Sequence, residues 1–461
     1  MFLELKWLEV ENKSSLSFSN KIKKTFIKYC EGFFLDYKIF MMKTFYFTIL
    51  LSIVFPINNS QLIDSIIING NKRTKDYVIK REILHPIDAP LDSLILNDDI
   101  NRLYNLGIFS KVDIYVEDKI YYVDLVESFS IVPIINASYD EVKDEFTYIA
   151  GVADINFMGR KQSFFAGTTF GGEKIYFLGL ENPWIFGDHI SFRTELMNRS
   201  TRNIFYEFEF DEKINSIEMG FYKGLKNKFK FGLTYYQNTI DSMSISNEQY
   251  EFVLSKGLQH QYITSRFSYN HDTRDIYIDP TEGFLFQFQG SNYKGLDSTE
   301  DFQMMSIYFK QYFFIKNKIL KNLVLSYKGY ALFKSKHYND LPIFAYEYLG
   351  GEDYTRGYSS IPNENPNEIR DLIENVNIIY TSIEIQNTIL ERKNYDRLEF
   401  GMDGFLFVDM GLGSKEYDKF NLDNSLIGYG FGVKFFITPV VFSVSLGFNP
   451  YGQSHLHLSS D

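Results

Sequence analysis

Few residues in this 461-residue chain sit at spacings that could carry catalysis. There is no Gly-x-Ser-x-Gly turn for a nucleophilic serine, no His-Glu-x-x-His pair for a catalytic metal and no glycine-rich phosphate loop. His271 stands beside Asp272, but no second His or Asp cluster lies near it, and metal sites take three or four ligands. His455 and His457 fall on one face of an alternating segment, as lumen or interface residues rather than a metal pair. The one cysteine, Cys30, excludes an internal disulfide and a cysteine-ligated metal cluster. The expectation is a protein that is not an enzyme, with no metal and no cofactor. A net charge of −12 also argues against a nucleic-acid partner, which would want a basic face.

The elements behind these residues are read from periodicity. Aromatic residues make up 18% of the chain, with 45 Phe and 34 Tyr, yet no apolar run past the N-terminus reaches the ~18 residues of a spanning helix. The apolar residues alternate instead. Phe229, Phe231, Leu233 and Tyr235 interleave with Lys228, Lys230, Gly232 and Thr234. Phe284, Phe286 and Phe288 interleave with Leu285, Gln287 and Gln289. Tyr429, Phe431, Val433 and Phe435 alternate with Gly428, Gly430, Gly432 and Lys434, and Phe442 to Phe448 repeats the pattern. Period two puts each apolar set on one face. The aromatic outer set and the Gly, Ser, Gln and Lys of the other face favour a membrane barrel with a wet lumen over a soluble sandwich. At roughly 20 residues per strand and turn, residues 130–461 accommodate a sixteen-stranded transmembrane antiparallel β-barrel.

Ahead of it, Met41-Met42-Lys43, the apolar stretch Phe45–Phe55 and the polar residues to Ser60 read as a secretory signal peptide over 41–60. Residues 1–40 are expected to be an N-terminal extension from a misplaced start codon. Residues 62–128 then read as a small α+β unit. A β-branched strand ends at Asn69-Gly70-Asn71, and Thr74 is the expected N-cap of a helix carrying Val78, Ile79 and Ile83 that stops before Pro86. A second helix with Leu96, Ile100 and Leu103 ends at Gly107, and a hairpin turning at Asp118-Lys119 completes a βααββ order.

These residues also carry a family resemblance. Gly70 and Asn71 in the first turn, Leu103, Gly107 and Phe109 in Arg102-Leu103-Tyr104-Asn105-Leu106-Gly107-Ile108-Phe109, and the closing Glu127 resemble a POTRA domain. Asn156 to Arg160 and Glu181 to Trp184 look like early barrel strands. Asp272 and Arg274 followed by Pro280 and Gly283 resemble a mid-barrel turn motif. The chain from 62 to 461 thus resembles the BamA/TamA family, a POTRA domain followed by a bacterial surface antigen-type barrel. Leu349 to Tyr358 is similar to that family's infolded loop with an Arg-Gly-aromatic tip, here Arg356, Gly357 and Tyr358, with Thr355 replacing the usual apolar residue. Phe407 to Gly411 is similar to its Phe-x-Asp-x-Gly strand. The resemblance implies that Asp409 faces Arg356 and that Glu384 is a second acidic partner. Such a brace suits a planar guanidinium that would be costly unpaired.

What the resemblance implies in function is assembly of outer-membrane proteins. The POTRA domain, in the periplasm, would receive unfolded clients by strand addition at a sheet edge. The barrel, in the bacterial outer membrane, would open laterally between its first strand, about 131–139, and its last, about 453–458. Pro133 in the first strand cannot donate a ladder hydrogen bond there. The segment ends Ser459-Ser460-Asp461 rather than on the aromatic residue common in bacterial barrels, which leaves the strength of the last pairing open. Outer-membrane lipids and accessory lipoproteins are the further partners implied. The alternative is a two-partner-secretion-type polypeptide transporter of the same architecture.

Overall fold

The computed structural model describes residues 62–461 apart from 141–144, 188, 204, 225, 297–298, 321, 417–418, 439 and 461. The expected extension and signal peptide lie outside the described residues. The chain opens with β1 (Ser65–Asn69), α1 (Asp76–Lys80), α2 (Ser93–Tyr104), β2 (Phe109–Glu117) and β3 (Ile120–Glu127). The sheet order is β1-β3-β2, with β1 parallel to β3 and β2 antiparallel to it. Its core is Ile63, Ile79, Leu103, Ile108, Phe109, Tyr121 and Val123, the apolar sets of sheet and helices meeting face to face. Asp118 and Lys119 both take positive φ, as a tight two-residue hairpin turn requires.

One expectation fails here. Thr74 is not a cap: the first helix begins at Asp76 after Lys75, with no side-chain cap. The Thr74 hydroxyl instead accepts a 2.9 Å hydrogen bond from Asn156 of the larger sheet, and its N–H donates to Glu127. The helix also ends at Lys80, so Ile83 packs on the core from beyond it.

Strands β4 (Ile131–Asp140), β5 (Glu145–Phe157), β6 (Gln162–Gly171), β7 (Lys174–Asn182), β8 (Ile190–Asn203), β9 (Phe208–Lys223), β10 (Asn227–Ile240), β11 (Gln259–Asp272), β12 (Gly283–Gly295), β13 (Phe302–Ile315) and β14 (Leu323–Lys334) then pair in chain order. A loop holding the short pair β15 (Glu347–Tyr348) and β16 (Glu374–Asn375) follows. The sheet resumes through β17 (Asn377–Tyr395), β18 (Leu398–Ser414), β19 (Leu426–Ile437), β20 (Val440–Phe448) and β21 (Ser454–Ser460), giving one sixteen-stranded antiparallel sheet.

Two sets of contacts require this sheet to curl into a barrel. The N-terminal unit touches β5 through Arg73 and Asp154 (2.5 Å), the β11–β12 turn through Asn105 and Asp275 (2.8 Å), and the β17–β18 turn through Ser110 and Asp396 (2.9 Å). A unit of some 65 residues reaches all three only if their ends converge on one rim. From within, Phe344 of the β14–β17 loop packs on Tyr236 of β10 and Tyr262 of β11, while the same loop bonds to β18 and β21. The outward sets, including Phe231, Leu233, Leu406, Val408, Tyr429 and Phe431, are exposed on the bare chain, where a bilayer would cover them. Among the described residues no helix is long and apolar enough to cross a membrane.

Candidate functional site

The β14–β17 loop spans residues 335–376 and folds inward. It is secured near its start by Lys334, whose buried ammonium reaches Glu347 at 2.7 Å and the Ala345 carbonyl. At the far side, Glu374 accepts from the hydroxyls of Tyr206 (2.6 Å) and Tyr338 (2.5 Å). Leu349 and Tyr358, both buried, pack with Ile369, Ile373 and Ile378. Held at both shoulders, the loop drives its tip, residues 355–358, against the wall formed by β17 to β21.

Register sets what the tip meets. Ser382 of β17 pairs with Asp409 of β18, which pairs with Gly428 of β19, so one row across three strands offers a hydroxyl, a carboxylate and a bare backbone. Arg356 lies along that row. Its Nε donates to Asp409 Oδ2 at 2.8 Å and its Nη2 to Oδ1 at 3.0 Å, a two-pronged match between planar groups. The Arg356 backbone N–H donates to Asp409 Oδ2 as well, at 3.1 Å. Nη1 lies 3.5 Å from Glu384 Oε2, and the guanidinium carbon sits 3.5 Å from the centroid of the Phe407 ring. Glu384 is shared with Lys434 of β19, which also donates to Gln386 at 3.1 Å. Two cations and two carboxylates thus close a neutral network, which is what allows Asp409 to be fully buried.

The two residues after Arg356 extend the grip. Gly357 has φ +95°, a conformation glycine takes without strain, and its N–H donates to His457 Nε2 of β21 at 3.0 Å. Its carbonyl accepts from Asn449 Nδ2 at 2.7 Å. Tyr358 donates from its hydroxyl to the Ile427 carbonyl at 3.1 Å. The tip therefore holds β18, β19, the β20–β21 turn and β21 together. Gly428 and Gly447 make room for it: a Cβ on Gly428 would lie 1.7 Å from the Arg356 carbonyl oxygen, and one on Gly447 2.4 Å from the Gly357 nitrogen.

The other motif residues lie elsewhere. Arg274 forms a two-pronged pair with Asp272 at 3.0 and 2.8 Å, stiffening the β11–β12 turn. Pro280 is buried in that turn, and Gly283 takes φ +91°, where an added Cβ would lie 2.2 Å from the Thr273 carbonyl oxygen. Gly70 and Gly107 also have positive φ, Leu103 and Phe109 are core residues, and Asn71 bonds Thr74 O and Asp76. These residues shape their own units and do not join the Arg356 cluster. Sequence reasoning missed His457 and Asn449 as tip partners and Lys434 as the second cation on Glu384. The glycines at alternate inward positions of β19 were the available signal, since such a run marks backbone approached by something else. Among the described residues no group of three metal-ligating side chains occurs.

Comparison with known proteins adds to this geometry. The model of the Omp85 superfamily domain matches residues 156–449, and a POTRA model, described as a surface antigen variable number repeat, matches residues 61–129. BamA from Haemophilus ducreyi lacking POTRA domains 1–3 is similar in fold, at 14% identity over 87% of this chain and 84% of that one, with a TM-score of 0.52. CdiB from Escherichia coli is similar at 13% identity over 87% of this chain and 75% of that one, with a TM-score of 0.54. No curated protein matches the chain.

Proposed function

The chain belongs to the Omp85 superfamily, whose barrels reside in the bacterial outer membrane, and on that premise we propose that it inserts other outer-membrane proteins, its POTRA domain lying in the periplasm. Clients would arrive as extended segments at a POTRA sheet edge and leave through a seam between β4 and β21. The observation that carries this reading is the contrast between the two flanks of the wall. The strands from β18 to β21 are clamped by the loop tip. The sheet ends on β4 and on the seven-residue β21. Ile135 of β4 is 80% exposed, and Leu456 and Leu458 of β21 are 67% and 70% exposed, more than any other large apolar residue on a barrel strand among the described residues. Pro133 further lacks a ladder N–H on β4. Parting the wall there breaks none of the loop's bonds.

A secretion pore of the same architecture is the second reading. It would require the loop to leave the lumen, breaking the Arg356–Asp409 pair and the bonds to Ile427, Asn449 and His457. That favours insertion. The purified full-length protein in liposomes, given a urea-unfolded outer-membrane protein, should speed the appearance of folded, protease-protected client. Client-dependent conductance with no acceleration of folding would favour secretion instead.

A further inference from the structure

Between the loop tip and the POTRA domain the lumen holds a cavity of about 540 Å³. Five cations line it, Arg274, Lys310, Lys328, Arg356 and Lys434, together with the carboxylates of Asp279, Glu352, Asp353 and Glu384. Three of them hold carboxylates, Arg274 with Asp272, Arg356 with Asp409 and Lys434 with Glu384. The remaining two are set against each other. Lys310 of β13 and Lys328 of β14 are direct register partners, and both side chains face the cavity. Directly opposed like charges destabilise an antiparallel pair. Neither ammonium has a carboxylate within ion-pair distance among the described residues; each lies near a tyrosine ring, Tyr312 for Lys310 and Tyr380 for Lys328. Glu384, the acidic residue on the adjacent strand, already serves Lys434 and Arg356.

The register partners of the two lysines carry no carboxylate. Lys328 pairs with Ser382 on its other side, and Ser326 pairs with Tyr312, so the lysines are ringed by hydroxyls of Ser326, Ser382, Tyr308 and Tyr312 that line the same cavity. Two ammonium groups offer six N–H donors and no acceptor. A monovalent carboxylate would neutralise one of them; a doubly charged oxyanion would neutralise both.

We propose that Lys310 and Lys328 form a lumenal binding site for a phosphate-type dianion, either free phosphate or the phosphomonoester of a lipid headgroup. The site adjoins the loop-tip network, sharing its cavity and Ser382, and does not depend on which client the protein serves.

The test uses the full-length protein in phosphate-free buffer, with thermal unfolding followed as anion is added at constant ionic strength. Inorganic phosphate should raise the midpoint in a saturable way, and chloride or acetate should not. Lys310→Gln and Lys328→Gln should each weaken the half-saturating concentration by about tenfold or more, the equivalent of about 1.4 kcal/mol. Lys310→Glu supplies the missing charge from within, so it should unfold later than wild type without phosphate and gain nothing from adding it. In nanodiscs of zwitterionic lipid, a rise with inorganic phosphate assigns the site to a soluble anion. A rise only when a phosphomonoester lipid is included assigns it to a headgroup. Either result supports the site. No saturable effect in either arm, or an effect unchanged in both Gln variants, overturns it.

Discussion

Arg356 is worth more for what it would leave behind than for the energy of its own contacts. Removing it strands Asp409 in the wall without water, and removing Asp409 strands the guanidinium; either loss costs about 3–5 kcal/mol for a buried pair. Arg356→Ala and Asp409→Ala should therefore each lower the urea midpoint of the folded protein, while the double variant falls well short of their sum. Strictly additive losses would contradict the contact. Gly428 tests the same tip from the opposing side. Gly428→Ala places a methyl on the Arg356 carbonyl and should cost about 1–3 kcal/mol or displace the loop. Gly329→Ala is the control, because its Cβ would meet nothing closer than 3.8 Å and should shift stability by less than about 0.5 kcal/mol. Equal effects of the two would mean that the loop does not lie on β19 in solution.

Between elements, the contacts join the POTRA domain to the barrel rim. Asn105, just past α2, donates to the Asp275 carbonyl and accepts from the Tyr277 N–H, both at 2.8 Å. Arg397 of the β17–β18 turn donates to the Ser128 carbonyl at 3.0 Å, and Arg81 stacks 4.3 Å over Trp184 of the β7–β8 turn. Asn105→Ala should raise deuterium uptake in residues 273–282 and leave uptake in β17 and β18 unchanged, whereas protection persisting in the turn would mean that Asn105 does not seat it. These docking contacts are also what the sequence hid. Period-two alternation exposed the strands because lipid and lumen impose it on every residue. Arg356 and Asp409 stood out through the motifs around them, Gly357-Tyr358 and Phe407 with Gly411, whereas Glu384 was marked only by the family resemblance. Thr74 misled because a threonine before an apolar run has the composition of a cap, and only tertiary structure assigns its hydroxyl to Asn156. His457 and Asn449 carry no local signal, since their partner lies about 100 residues away in the chain.

At the scale of the molecule, a barrel in lipid pairs its backbone groups because water cannot satisfy them there. The sheet's two margins are its shortest strand, β21, and β4, which lacks a donor at Pro133, and on the proposed function the wall would part there. On the proposed function, the loop tip would have a mechanical role: it would keep β18 to β21 in register while the β4 margin moves. The POTRA domain, docked at several points of the rim, would hold a client next to that margin rather than at a distance.

The most direct test is a reversible cross-link over the seam. In a Cys30→Ser background, one cysteine on β4 and one on β21, chosen with Cα atoms within about 7 Å, can be oxidised after the protein has folded. The account predicts that the oxidised protein unfolds no earlier than the reduced one but loses client insertion, and that reductant restores insertion to the level of the single-cysteine controls. Undiminished insertion by fully cross-linked protein would contradict lateral opening at this seam.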